Sequence, residues 1–242
     1  MKDAQRLKGR PLGLAKNPLR CVINLGNPLL AQALGDSAQG VSVDMAHALA
    51  KHLNTPCELL VVHNAREAVQ ALEEARVDVG FLAIDATRAA HIRFTAPYVF
   101  IEGCYLVRED SPLQHNDDVD QDGQRVVVGL GSAYDLFLSR HLKHATLVRA
   151  ASSKDVVNTF LQDGHGVAAG VKHQLETDMA QHTGLRLLPG AFMRIEQAMA
   201  TPKAKGDEAL QQLQDFVQGL KDSGFIKTAM QRHQVKGASL AP

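Results

Sequence analysis

The sequence predicts an α/β protein made of two similar halves, each with mainly parallel strands flanked by helices. Short apolar runs alternate with segments of helical periodicity along most of the chain. The run at residues 77–84 is almost continuously apolar, which is typical of a strand in a parallel sheet covered on both faces. A second strand, glycine turn and helix begin at Arg125, after an aspartate-rich polar stretch at 109–124.

The first half shows strand, helix, strand, helix and strand in that order. The apolar side chains of its first helical segment recur at the i, i+4, i+7 and i+8 spacing, and Pro56 ends that segment. This order predicts parallel strands joined by right-handed crossovers. We expect strands at 19–25, 57–62 and 77–84 and helices at 41–53 and 65–75.

The second half repeats the pattern and is closed by two helices. An extended connection at 100–108 leads into the polar stretch, which is typical of a surface loop or a boundary. Ser223 and Gly224 separate the last two helices. We expect strands at 125–131, 145–149, 167–171 and 185–188, and helices at 132–143, 152–162, 173–181, 208–222 and 226–233.

Composition excludes some classes of function. The 242 residues include 26 Lys and Arg against 26 Asp and Glu, so the chain has no basic excess to neutralise nucleic-acid phosphates. Its apolar runs are far too short to span a bilayer, so we expect no membrane insertion. Cys21, Cys57 and Cys104 show no metal or redox spacing, and we expect them to be reduced and buried. The first twenty residues lack the apolar core of a secretory signal, so we expect none in this sequence.

The first candidate site lies at the end of the strand at 77–84, where Asp85, Ala86, Thr87 and Arg88 follow. Ligands of open α/β sheets bind beyond the carboxyl ends of the strands. A guanidinium there can hold a carboxylate through two parallel charge-assisted hydrogen bonds. The alternative is that Arg88 is a solvated residue on the surface of the following helix.

Two glycine-containing turns are the other candidates. At Gly131 and Ser132, backbone N–H groups and the serine hydroxyl at a helix start would form an anion site, although Ser132 could also act as the helix N-cap. The turn resembles a dinucleotide fingerprint only loosely, because the third glycine would fall at Tyr134. Asn24 and Asn27 follow the first strand and would offer amide groups to a ligand, with a plain turn as the alternative.

No familiar enzyme template is present in the sequence. The chain contains no GxxxxGK[ST] phosphate loop, no HExxH zinc motif and no GxSxG nucleophile turn. Its eleven histidines are scattered, mostly beside polar residues, which is typical of solvated side chains. We therefore expect a binding protein that needs no metal or cofactor.

Several segments resemble motifs of the bacterial extracellular solute-binding proteins of family 3, the polar amino-acid receptors of ABC importers. Residues 39–46 (QGVSVDMA) are similar to the family's G-[FY]-x-[VI]-D-[LM]-A segment, and residues 76–79 (RVDV) to its G-[KR]-x-D-[VA] strand. Residues 88–98 (RAAHIRFTAPY) resemble its R-x-x-x-[VI]-x-F-[ST]-x-P-Y segment, the most specific of these motifs. Residues 162–164 and 220–225 resemble its second-lobe and C-terminal motifs.

This resemblance runs over residues 19–233 and implies a two-lobed fold of the type II periplasmic binding proteins. Two crossing strands near 103–108 and 197–203 would form the hinge, and ligand would close the cleft between the lobes. The implied division is an N-terminal extension at 1–18, lobe 1 at 19–105 and 201–242, and lobe 2 at 106–200.

The resemblance also implies what the site and its partners would be. In this family the arginine matching Arg88 clamps the α-carboxylate of the ligand. Donors at the turn of Gly131 and Ser132 would meet the same carboxylate from lobe 2. The family context implies a periplasmic monomer that captures a small carboxylate and hands it to an ABC permease.

One departure from the family pattern bears directly on the ligand. Amino-acid binders of this family usually carry an acid that binds the ligand's ammonium, and here that position falls on Val171 or Lys172, depending on the register. A buried ammonium without an anion costs on the order of several kcal/mol. We therefore predict a carboxylate other than an ordinary α-amino acid, unless Asp85 or Glu102 supplies the missing charge. If Lys172 points into the cleft, a dicarboxylate or an oxo acid becomes attractive.

Two other departures change the expected site, and two other functions stay open on the same fold. The usual threonine of the strand-end loop becomes Ala83 or Asp85, and the usual aromatic after the first strand is replaced by Asn27 and Pro28. A dehydratase of cyclic carboxylates would use Glu102 or Asp85 as its acid, and a cytosolic small-molecule sensor needs no catalytic group. The predicted ligand-binding residues are Arg88, Asn24, Asn27, Ala83, Asp85, Glu102, Gly131, Ser132, Tyr134 and Lys172.

Overall fold

A computed structural model of the protein describes residue 13 and residues 18–164 and 166–242. The elements of the first part of the chain are β1 (Leu19–Asn24), β2 (Gln32–Leu34), β3 (Ser37–Gln39), α1 (Val41–His52), β4 (Cys57–Val62), α2 (Ala65–Glu73), β5 (Val79–Ala83), α3 (Ala86–Ala89) and β6 (Ile92–Phe94). Those that follow are β7 (Val99–Arg108), β8 (Arg125–Gly129), α4 (Ala133–His141), β9 (Thr146–Ala150), α5 (Val156–Asp163), β10 (Val167–Val171), α6 (Lys172–Met179), β11 (Leu185–Leu187), β12 (Met193–Pro202), α7 (Gly206–Asp222), α8 (Phe225–Arg232) and β13 (Ala238–Leu240).

Most of these strands form one mixed sheet, whose central path runs β4-β1-β5-β12-β7-β10-β8-β9. At one end β4, β1 and β5 are parallel, and at the other end β10, β8 and β9 are parallel. The ten-residue strands β7 and β12 join the two groups, and each runs antiparallel to its neighbours. The protein therefore has two lobes connected by two long strands, which confirms the predicted fold class.

Strand β1 shows why the parallel groups are buried on both faces. Cys21 and Ile23 point to one face and pack in the cluster that contains Met45 of α1. Val22 points to the other face and packs against Leu72 of α2. Because successive side chains of a strand alternate between faces, a helix on each side leaves no polar position in the middle of the strand.

The structure differs from the sequence expectations at short elements. The crossing strands begin earlier than predicted, at Val99 and Met193, and the helix expected from residue 152 begins at Val156 after a 3-10 turn. The β2–β3 hairpin, α3, β6 and β13 were not predicted, because segments of three or four residues are too short to show a period. Most of the extension expected at 1–18 lies outside the described residues.

The last strand, β13, pairs with the hinge strand β7. Its residues pair with Val99, Phe100 and Ile101 of β7, on the opposite side from β12. Just before it, Gly237 lies against His173 of α6, where a Cβ atom on the glycine would be 3.1 Å from the histidine Cβ. The C-terminal segment therefore contacts both the hinge strand and lobe 2.

Two further expectations concern membranes and cysteines. Every helix in the described part of the chain is too short or too polar to span a bilayer. The three thiols are free, with Cys21 and Cys104 buried and Cys57 half-buried.

Candidate functional site

A cavity of about 250 Å³ lies between the two lobes at the carboxyl ends of β1 and β5. Lobe 1 and the crossing strands contribute Asn24, Asn27, Ser42, Asn64, Phe81, Ala83, Arg88, Ile195 and Gln197 to its lining. Lobe 2 contributes Ser132, Tyr134, Ser153, Gly170, Val171 and His173, among others. The volume is slightly below the ~300–1,000 Å³ range of drug-sized ligand pockets, so it suits a small molecule.

Arg88 is buried and its guanidinium reaches both lobes. It lies on α3, directly after β5, and only 4% of the residue is exposed. Its Nη1 donates to the Ala83 carbonyl and its Nη2 to the Gly131 carbonyl, both at 2.9 Å. Burial lowers the pKa of Arg88 to about 10, so the side chain keeps its charge at neutral pH. The alternative of a solvated arginine is therefore wrong.

The charge of Arg88 has no direct counter-ion. Among the described residues, no carboxylate forms an ion pair with it, and its two protein acceptors are neutral carbonyl oxygens. A guanidinium has five N–H donors, so several remain for a ligand. An unpaired buried charge is destabilising by on the order of several kcal/mol, and an anion in the cavity would remove that cost.

Asp85 is the nearest acid, but it does not line the cavity. One carboxylate oxygen accepts from the Thr87 N–H at 2.8 Å and caps α3, and the other accepts from Arg140 Nη2 at 2.6 Å. Burial would raise the pKa of Asp85, but the hydrogen bonds from Arg140 and Thr87 outweigh it and hold the pKa below its usual value. Arg140 lies on α4, so this ion pair links lobe 2 to lobe 1.

The turn at Gly131 and Ser132 differs from the predicted anion site. The Gly131 N–H donates to Asp135 Oδ2 at 2.8 Å, and the Ser132 N–H donates to the Gly129 carbonyl at 3.0 Å. These two backbone donors are thus already occupied within the protein and are not free for an anion in this arrangement. Gly131 instead offers its carbonyl to Arg88, and its φ of +70° suits glycine.

Ser132 and Tyr134 do face the cavity. Ser132 Oγ accepts from the Asp135 N–H at 3.0 Å, which confirms the N-cap and leaves the hydroxyl hydrogen for a ligand. Burial raises the pKa of Tyr134, and the hydroxyls of Ser153 and Ser132 lie nearby and oppose that effect. The Tyr134 hydroxyl has no hydrogen-bond partner within the described structure.

Glu102 and Lys172 lie outside the cavity lining. They form an ion pair of 2.8 Å on the surface, with side chains that are 53% and 39% exposed. The pair raises the pKa of Lys172. Of the two positions that match the family's ammonium-binding acid, the structure brings Val171 to the cavity. No Asp or Glu lines the cavity in the part of the chain that the structure describes.

Asn24, Asn27 and Ala83 line the cavity, and Gln197 is the main lining residue that sequence reasoning missed. The side-chain Oδ1 of Asn27 is buried without a partner, while Asn24 Oδ1 accepts from the Gly26 N–H at 2.8 Å. Gln197 lies in the predicted hinge strand. Its polar side chain was the sequence feature that could have indicated a binding residue there.

The fold and the cavity define a two-lobed protein of the periplasmic binding type, with a positively charged site at the interlobe cleft. The family model of the bacterial extracellular solute-binding proteins, family 3, matches residues 22–236. The chain belongs to this family.

Solved structures of the same fold differ widely in sequence. A histidine kinase sensor domain with similarity to periplasmic binding proteins is 18% identical, with 93% of this chain and 98% of that chain covered and a TM-score of 0.78. A putative ABC transporter binding component from Wolinella succinogenes, complexed with lysine, is 19% identical over 90% and 96% of the chains, with a TM-score of 0.77. An ancestral amino-acid-binding protein, a precursor of cyclohexadienyl dehydratase, is 18% identical over 91% and 96%, with a TM-score of 0.74. No curated protein matches the sequence.

Proposed function

We propose that this solute-binding protein captures a small organic carboxylate that carries no ammonium group. The observation that carries the proposal is Arg88, a buried cation in the interlobe cavity that forms no ion pair with a carboxylate of the described residues. A carboxylate would accept two parallel hydrogen bonds from its remaining donors. Ser132 adds a hydroxyl donor from the opposite lobe.

The missing acid argues against an ordinary α-amino acid. Val171 replaces it in the cavity, and Lys172 is held outside by Glu102. An α-amino acid would therefore place its ammonium in the same small cavity as Arg88 without a counter-charge. Because Lys172 is not in the lining, its charge gives no support for a dicarboxylate.

We assign the lobes to residues 19–105 with 201–242 and to residues 106–200, with β7 and β12 as the hinge. The hydrogen bond from Arg88 to Gly131 and the ion pair between Asp85 and Arg140 connect the lobes in a closed arrangement. Delivery to an ABC permease from a periplasmic monomer follows from the family membership and belongs to the same proposal.

A sensor role is the second candidate, because a histidine kinase sensor domain has the same fold over nearly its whole length. A sensor would use the same cavity, so both roles predict the same ligand chemistry. A dehydratase is less well supported, since neither Asp85 nor Glu102 lines the cavity and its described lining offers no carboxylic acid. Assays of prephenate-like compounds for turnover separate the dehydratase from both binding roles.

The test is a calorimetric and thermal-shift screen of small carboxylates against the wild type, Arg88→Ala and Arg76→Ala. Loss of a buried, hydrogen-bonded charge partner weakens binding by about 2–5 kcal/mol, which is roughly 30-fold to several thousand-fold in Kd. We expect that loss in Arg88→Ala. Arg76 is an exposed arginine paired with Glu74, so Arg76→Ala is the matched control. This variant should bind ligand as the wild type does. Undiminished binding by Arg88→Ala would refute the site.

A further inference from the structure

Gln197 is a buried polar residue of the cavity lining, and its side chain has no hydrogen-bond partner among the described residues. It lies on β12 and is 6% exposed, and its backbone carbonyl accepts from the Tyr98 N–H at 2.8 Å. Its side-chain amide makes no hydrogen bond to any residue that the structure describes, although it lines the cavity. The amide therefore presents both N–H donors and a carbonyl acceptor to whatever the cavity holds.

The position of Gln197 places this amide close to the carboxylate site. Gln197 stands directly opposite Ala83 in the antiparallel pairing of β12 with β5. The Ala83 carbonyl is the acceptor for Arg88 Nη1. Directly opposite residues of antiparallel strands have Cα atoms about 4.5–5.5 Å apart. Because Arg88 and Gln197 line the same small cavity, a ligand whose carboxylate binds Arg88 can direct its other atoms toward the Gln197 amide.

Two other residues of the lining offer uncharged groups. Ile195 lies two residues before Gln197 and also lines the cavity, so the same face of β12 offers one amide and one apolar side chain. From lobe 2, the buried Tyr134 hydroxyl forms no hydrogen bond with any described residue, although the Ser132 and Ser153 hydroxyls lie nearby. These groups suit a neutral oxygen, which can accept from the amide N–H, and suit a hydroxyl, which can also donate to the amide oxygen.

We propose that the ligand is a hydroxy or oxo acid, a carboxylate with a neutral oxygen near the carboxyl group, and that Gln197 recognises that oxygen. This inference rests on the proposed function, since it needs a carboxylate on Arg88. An ammonium would meet only the amide carbonyl there and would carry an unbalanced charge. An unsubstituted carboxylate would leave the Gln197 amide buried without a partner.

The first experiment uses ligands that differ by one group. Calorimetry on the wild type compares 2-hydroxy, 2-oxo, 2-amino and unsubstituted carboxylates of the same carbon skeleton, over skeletons of two to eight carbons. We expect the hydroxy or oxo acid to bind about tenfold more tightly than the unsubstituted acid, the size of one net hydrogen bond. The amino acid should bind more weakly than either. Equal binding of all four, or a preference for the amino acid, overturns the inference.

The outcome also separates this inference from the proposed function. If carboxylates bind and Arg88→Ala abolishes their binding, but no preference for the oxygen substituent exists, only the present inference fails. If no carboxylate binds, both fail.

Two variants test Gln197 itself. Gln197→Glu keeps the shape of the side chain and adds the missing anion, so the preference should shift at least tenfold from the hydroxy acid toward the amino acid. Gln197→Met removes the amide without adding charge, and the hydroxy acid should lose its advantage over the unsubstituted acid. Gln121→Glu makes the same charge change in an exposed turn and should keep the wild-type preferences.

Folding is checked by the thermal unfolding midpoint of each variant. If the buried glutamate prevents folding of Gln197→Glu, the test rests on Gln197→Met, through the ratio of its Kd values for the hydroxy acid and the unsubstituted acid. Unchanged preferences in folded Gln197→Met would show that the amide does not recognise the substituent.

Discussion

Loss of the ion pair between Asp85 and Arg140 should weaken ligand binding although neither residue lines the cavity. The two side chains belong to different lobes and meet at 2.6 Å in the closed arrangement. Hinge opening would separate them, so the pair stabilises the closed state relative to the open state. Because the ligand binds between closed lobes, any free energy that the ion pair adds to closure also adds to the free energy of ligand binding.

The magnitude follows from the exposure of the two side chains. The Asp85 side chain is 5% exposed, but that of Arg140 is 41% exposed, so solvent screens the pair. We therefore assign the pair about 1 kcal/mol, the upper end for surface ion pairs. That energy corresponds to roughly a fivefold increase in Kd for the ligand.

The assay is a double-mutant cycle on Kd with Asp85→Asn, Arg140→Gln and both together. Asparagine keeps the N-cap of α3 while it removes the charge. We expect each single substitution to raise Kd for the ligand, and the double variant to have a Kd no higher than that of the single variants. Arg125→Gln, which breaks the ion pair with Asp163 inside lobe 2, is the matched control and should leave Kd unchanged. Fully additive effects, or an unaltered Kd in Arg140→Gln, would refute the reasoning.

The pH dependence of this interlobe pair has a defined sign. The pKa of Asp85 is held below its usual value in the closed protein. The contribution to closure is therefore complete above the ordinary aspartate pKa and is lost as the pH falls through the lowered value. Kd should therefore not vary with pH between pH 8 and pH 5 on account of this group, because Asp85 stays ionised over that range.

Two further predictions concern stability. Asp78 is fully buried and pairs with Arg20 and Lys205, which are partly exposed. Asp78→Asn should therefore lower the free energy of unfolding by about 2–3 kcal/mol, because breaking a pair whose cations are also fully buried costs more. Despite burial, those partners keep the pKa of Asp78 below its usual value, so urea titrations should show that this difference shrinks only as the pH falls through the lowered value. Ser132→Ala should cost about 1 kcal/mol by loss of the α4 cap, measured as a lower thermal midpoint, and an unchanged midpoint would contradict the capping role.

The long elements of the fold were predictable because their patterns are long enough to show a period. The strand expected at 57–62 and the helix expected from residue 41 match β4 and α1 closely. An extended segment at 100–108 was predicted from the sequence, but the role of β7 and β12 as hinge strands came only through the family resemblance, because pairing with partners from both lobes has no local signature. The three-residue strands depend on tertiary pairing, as β13 does on β7.

The site was predictable where a residue type limits its chemistry. Arg88 could be proposed from its place after a buried strand, but its hydrogen bond to the carbonyl of Gly131 in the other lobe, 43 residues along the chain, could not. Glu102 and Lys172 had the right charges, and their pairing with each other depends on how β7 approaches α6. Gln197 belongs to no sequence motif, and it is identified only because its side-chain amide lies in the cavity without a partner among the described residues.

The pairing of β13 with β7 has a consequence for association between molecules. Without β13, the backbone N–H and C=O groups of residues 99–101 would form an unpaired sheet edge at the hinge. Such an edge is a template onto which a strand of another chain can add. The C-terminal strand occupies that edge with the protein's own backbone, so residues 99–101 are not available for strand addition by a second molecule.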